Sequence, residues 1–259
     1  MKGIKIVNRK KETCSTFKLK LEPDTYSITE LGKILNSSGK QAIDRKLNNW
    51  EVSYSSTGRG AARKYTIKEL RNPFKIFCIT ELGIDVHTDF NKIRDVYYFL
   101  LNDPEVPFWP AERLSAFLES MDRSVSRQSI RKYIEKLIVN NYAGIDYQNF
   151  KYYFAYKDNY IETTRERYAQ AWRKYWILRK EEGADSSEAI CDMIYHYGGV
   201  ARKHEGIAFN GIYTSQIDYL NSLVCKSLEN ETVSLFEIYN TNLTRYKEQD
   251  AESIFKSDF

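Results

Sequence analysis

The sequence predicts a mainly helical α+β chain, in which two similar units carrying small β-hairpins are followed by a C-terminal helical region. Three observations predict it. Near residues 25–70 and again near 92–156, amphipathic helical segments joined by a short connector are followed by alternating, strand-like residues. Both stretches contain a basic block, and acidic segments separate and follow them. Beyond residue 159 the apolar spacing is helical. The expected parts are residues 1–75, 76–158 and 159–259.

A chain of 259 residues is long enough for two or three small domains. Its 42% hydrophobic content argues against wholesale disorder. No apolar run approaches the roughly 18 residues that cross a bilayer, so no membrane partner is expected. Met1 to Asn8 is basic and is followed by a lysine run rather than an apolar stretch. It does not read as a signal peptide, and the cytoplasm is the expected compartment. Cys14, Cys78, Cys191 and Cys225 lie far apart with no Cys-x-x-Cys pair, which suits free thiols in a reducing compartment.

The net charge of +4 conceals an alternation. Residues 1–37 carry +4, 38–75 carry +6, 76–120 carry −5, 121–180 carry +7 and 184–259 carry −6. A polyanion would use the basic blocks, because each neutralised phosphate releases condensed counterions. The acidic C-terminal third would be repelled by DNA and suits a protein partner.

In the first unit, Thr29 is the expected N-cap of a helix whose Leu31, Ile34 and Leu35 make one stripe. Asn36-Ser37-Ser38-Gly39 is a turn. A second helix over 40–50 buries Ile43, Leu47 and Trp50, and exposes Lys40, Gln41, Asp44, Arg45 and Asn48. Glu51-Val52-Ser53-Tyr54 and Lys64-Tyr65-Thr66-Ile67 then flank a loop containing Gly58-Arg59-Gly60 and Arg63. The order helix, turn, helix, basic hairpin resembles a winged helix-turn-helix unit.

That resemblance implies a second helix in the major groove, with Arg45 toward guanine and Gln41 or Asn48 toward adenine. It also implies a wing laying Arg59, Arg63 and Lys64 on phosphates or in the minor groove. Gly58 and Gly60 permit positive φ and close backbone approach. Gly58-Arg59-Gly60 is not a nucleotide-binding loop, because it lies between strands and lacks the Gly-Lys-Ser/Thr ending.

In the second unit, a helix over 92–102 is stopped by Asp103-Pro104, and Pro110 opens another carrying Leu114, Phe117, Leu118 and Met121. Ser126 is the expected N-cap of a third helix. There Ile130, Ile134, Leu137 and Ile138 form the core stripe, and Arg127, Gln128, Arg131 and Lys132 project from the other side. This passage resembles the recognition helix of winged helix-turn-helix regulators. A hairpin is expected over 140–156, turning at Gln148-Asn149, with Lys151 as its phosphate contact. Its tyrosines and phenylalanines suit sheet packing or, alternatively, stacking of a single strand.

One long helix is expected over 161–182, with Tyr168, Trp172, Tyr175 and Trp176 on one side. That stripe either packs onto the second unit or pairs two copies, making residues 160–259 the candidate homodimer region. Asp185 or Ser186 caps a following helix that ends at Gly198-Gly199. Two further helices, near 214–228 and 233–246, complete an acidic region for self-association or a protein partner.

No catalytic constellation is legible. There are three histidines, His87, His196 and His204, and no His-Glu-x-x-His, Cys/His cluster or Gly-x-Ser-x-Gly element. No cofactor or metal is expected; Cys191 and His196 offer only weak ligand spacing. The expected function is sequence-specific binding of double-stranded DNA, as a transcriptional regulator or a plasmid- or phage-type replication initiator. An inhibitor or adaptor using winged-helix surfaces against a protein or protein–nucleic-acid complex is the alternative of another class.

Overall fold

The computed structural model describes residues 19–157, 159–209, 214–229 and 235–256. Cys14, the Met1–Asn8 stretch and Val233 therefore lie outside the described residues. The fold is α+β, with two three-stranded antiparallel sheets among the described residues. No helix there is long and apolar enough to cross a membrane.

The first unit runs β1 (Thr25–Ser27), α1 (Ile28–Ile34), α2 (Lys40–Asn49), β2 (Val52–Thr57) and β3 (Lys64–Leu70), with sheet order β1-β3-β2. Ser27, not Thr29, caps α1: its hydroxyl accepts from Glu30 N, and the Glu30 carboxylate accepts from Ser27 N at 2.8 Å. A Ser/Thr followed three residues later by Glu closes this reciprocal box, which Thr29 lacks because Gly32 stands at that spacing. Lys46 of α2 closes the turn by donating to the carbonyls of Leu35 (2.6 Å) and Asn36 (3.2 Å). Leu31, Leu35, Ile43, Leu47, Trp50, Val52, Tyr65 and Ile67 fill the core beneath.

α3 (Pro73–Thr80), which local patterning did not anticipate, has Asn72 as its cap and Pro73 in its first turn. It contributes Ile76 to the first core, and Phe74, Phe77 and Cys78 to a larger second one. One helix thus belongs to two cores.

The second unit is built on α4 (Phe90–Asn102), α5 (Ala111–Glu119) and α6 (Arg127–Val139), followed by β4 (Gly144–Tyr156) and β5 (Asn159–Thr163). The expected hairpin at Gln148-Asn149 does not form, because β4 passes through these residues as one long strand. The Asp146 carboxylate accepts from Gln148 N, Asn149 N and Asn149 Nδ2 at 2.9, 3.0 and 2.8 Å. This Asx-type closure makes a bulge within the strand rather than a reversal. The chain reverses later, where Tyr156 pairs with Asn159.

α7 (Arg165–Lys180) starts later than expected, because Ile161 to Thr163 belong to β5. α8 (Ser186–Tyr197) follows, and β6 (Val200–Ala208) then returns to pair with β4, giving the order β5-β4-β6. α7 and α8 cover one face of this sheet. Phe154, Ala171, Met193 and Ala201 are buried between them, with Tyr168, Trp172 and Tyr175 packed alongside. Of the aromatic stripe, Trp176 stays 51% exposed.

The C-terminal helices α9 (Thr214–Glu229) and α10 (Leu235–Lys256) do not form a separate acidic module. Leu220, Val224, Leu228 and Tyr239 join the core of α3, α4 and α5. A boundary at 158/159 therefore falls inside a sheet, and the residues after it complete the second core. Within that core Arg94 donates to Asp95 at 2.9 Å, with Arg123 at 3.9 Å from the same carboxylate.

Candidate nucleic-acid interface

Burial of Ile43 and Leu47 turns the opposite face of α2 outward, which leaves Gln41, Arg45 and Asn48 exposed. Lys40 is exposed too, but its ammonium pairs with Asp44 at 2.6 Å. Asp44 lies beside the phenols of Tyr54 and Tyr65, and burial together with this carboxylate pushes the Tyr54 phenol up to about 12.

The β2–β3 loop presents Arg59, with Arg63 and Lys64 at its return. Gly58 has φ +79°, and a Cβ there would lie 2.7 Å from the Ala62 carbonyl oxygen. The loop is anchored to α1 where Ile28 N donates to Arg63 O at 3.1 Å. Arg63 also donates to the Ser56 hydroxyl at 3.4 Å. A groove of about 710 Å³ separates Gly60 and Ala61 from Thr29, Lys33 and the turn at Asn36 to Gly39. The Gly60-Ala61 stretch of the loop thus faces, across this groove, the turn that precedes α2.

In the second unit Ser126 caps α6, its hydroxyl accepting from Ser129 N at 3.2 Å. Arg127, Gln128 and Lys132 are exposed near the start of the helix. Arg131 is exposed as well, but pairs with Glu112 of α5. It stands at a groove of about 1020 Å³ between α6 and the sheet face opposite α7. One wall carries Arg131, Ile134 and Ile138; the other carries Tyr153, Tyr156, Tyr160, Arg202 and His204, with Lys157 at the hairpin end. Burial depresses the pKa of His204, against the opposing pull of the Trp109 carbonyl and of Glu112.

Lys151 does not occupy the hairpin tip for which it was expected. It sits half-buried within β4 and pairs with Glu162 of β5. The basic residue at the true reversal is Lys157, whose ammonium stands 5.3 Å from the Tyr156 ring centroid. Lys157-Asp158-Asn159 carries stronger turn chemistry than Gln148-Asn149, so this position was open to sequence reading. Arg202 was not, because nothing local announces that β6 returns to β4.

Cys78, Cys191 and Cys225 are free. Among the described residues no three His, Cys, Asp or Glu side chains are grouped to hold a metal ion. His196, one half of the weak Cys191/His196 pair, contacts Asp192 at 3.2 Å. Compared with known proteins, the chain matches no family model, no curated protein and no solved structure.

Proposed function

We propose that the chain is a sequence-specific double-stranded DNA-binding protein that uses two winged helix-turn-helix units, and that it acts as a transcriptional regulator. The observation that carries this reading is the first unit. Two helices joined by a lysine-closed turn present Gln41, Arg45 and Asn48 outward, next to an antiparallel hairpin with a glycine-arginine tip. α2 enters the major groove, where Arg45 can donate two hydrogen bonds to guanine and Gln41 or Asn48 can pair with adenine. Arg59 and Lys64 neutralise phosphates beside it.

The second unit supports the reading through α6, whose Arg127, Gln128 and Lys132 are exposed along one side, and through Lys157 at its hairpin. It departs from the first unit in its third strand, which lies beside β4, the first strand of the hairpin; in the first unit it lies beside β3, the second. The cations Lys40 and Arg131 are themselves exposed and can turn toward a phosphate, although their partners Asp44 and Glu112 are largely covered.

The test is binding of the full chain to random-sequence duplex DNA over a range of salt concentrations. The reading expects affinity that falls linearly with the logarithm of salt. Absence of binding at low salt would overturn it and favour a protein-directed adaptor.

A further inference from the structure

The bulge in β4 opens a further concave surface of about 630 Å³, which shares Lys203 with the groove beside α6. Its lining is Phe108, Gln148, Asn149, Phe150, Lys151, Tyr152, Arg165 and Lys203. Three of these eight residues are cations and none is a carboxylate. They come from three elements: Lys151 from β4, Arg165 from the start of α7, and Lys203 from β6. Strand register sets Lys203 opposite Tyr152, and Tyr152 opposite Thr163.

Arg165 and Lys203 are exposed. The Lys203 ammonium lies 3.3 Å from the Phe150 ring centroid, a contact that holds it at this surface. Lys151 is already paired with Glu162. The Asp146 carboxylate, the acidic group of the neighbouring bulge, is engaged by Gln148 and Asn149, and those hydrogen bonds hold its pKa below the usual carboxylate range. Two cations are therefore gathered in a concavity with no carboxylate in its lining; Glu166, next to Arg165, and Glu205, opposite Phe150 in the sheet, stand outside it.

Such a lining complements a polyanion. We infer that this surface, centred on Arg165 and Lys203, holds backbone phosphates of the DNA that the protein binds, as a contact separate from the two helices. The inference rests on the DNA-binding reading and adds a part to it: affinity without sequence information, since phosphates carry none. It also places Lys203, from the acidic C-terminal third, on the DNA side of the molecule.

The test compares wild-type protein with the Arg165→Gln, Lys203→Gln double variant. Glutamine keeps an aliphatic stem over Phe150, and both positions are exposed, so the fold is expected to survive; thermal melting checks this. Binding to random-sequence duplex is measured at several salt concentrations, together with binding to inorganic pyrophosphate. Two lost phosphate contacts should reduce the slope of log affinity against log salt by about 2, so the double variant loses roughly tenfold less affinity between about 50 and 200 mM salt. An unchanged slope and affinity in the double variant would overturn the inference and leave DNA binding by the helices standing. An unchanged DNA slope with lost pyrophosphate binding would make the surface a small-anion site and overturn it equally. If wild-type protein itself fails to bind duplex at low salt, the inference falls with the reading on which it rests.

Discussion

At Gly58 a side chain has no room. The backbone stands at φ +79°, and an added Cβ would meet the Ala62 carbonyl at 2.7 Å. Gly58→Ala should destabilise the protein by about 1–2 kcal/mol, the usual cost of a left-handed residue with a Cβ. Urea denaturation reads this as a lower midpoint, and an unchanged midpoint would refute the tight-loop account. At Arg45 the cost falls on recognition instead. Arg45→Ala should lose about 1–3 kcal/mol on a preferred site and relax selection at one base position. Arg127→Ala with Arg131→Ala should abolish binding to the preferred site while thermal melting stays unchanged; normal binding would remove the second unit as a reader. Lys151→Ala should leave the salt dependence of DNA binding unaltered, because Lys151 is half-buried within β4 and held there by Glu162, unlike the exposed Lys40 and Arg131.

Among the elements, those fixed by local chemistry were legible. α2 and α6 follow from apolar spacing with polar residues opposite, and α6 begins at Ser126 as its cap implied. The β2–β3 hairpin follows from glycines between two alternating runs. β4 was misread because the Asp146-x-Gln148-Asn149 sequence satisfies itself in a bulge, while the partner that keeps the strand continuous is β6, some fifty residues away. No local pattern records that pairing. For the same reason Arg202, Lys203 and His204 were assigned to an acidic tail rather than to the sheet beside α6.

β6 brings a pH dependence with it. The ordinary pKa of His204 is 6.5, and burial in the sheet lowers it in the folded state. Between the lowered value and 6.5 the unfolded chain binds the proton more strongly, so this contribution is fully present above about pH 6.5 and is lost as pH falls. The groups facing His204 include the Trp109 carbonyl, Glu112, Glu205 and Arg131. The melting temperature should therefore drop more between pH 7.5 and 5.5 in wild-type protein than in His204→Gln. An equal drop in both would show that His204 is not the group responsible.

At the scale of the whole molecule, the two units are not beads on a linker. α3 packs Ile76 into one core and Phe77 into the other, and α9 and α10 complete the second. Phe77→Ala should cost about 3–5 kcal/mol. Because α3 spans both cores, fluorescence from Trp50 in the first and Trp109 in the second should shift together; a shift at Trp109 alone would mean that the cores unfold independently. This coupling holds α2 and α6 on one body, so under the proposed function the fold would set the distance between the DNA segments they read. The measurement that bears most directly on the account is therefore selection of bound sequences from a random duplex library by the 259-residue chain. The account predicts an enriched site with two recognisable elements at constant spacing, one of which loses its preference in Arg45→Ala, whereas the Arg127→Ala, Arg131→Ala variant no longer selects that site. Recovery of no enriched sequence, or of one indifferent to all three substitutions, would contradict it.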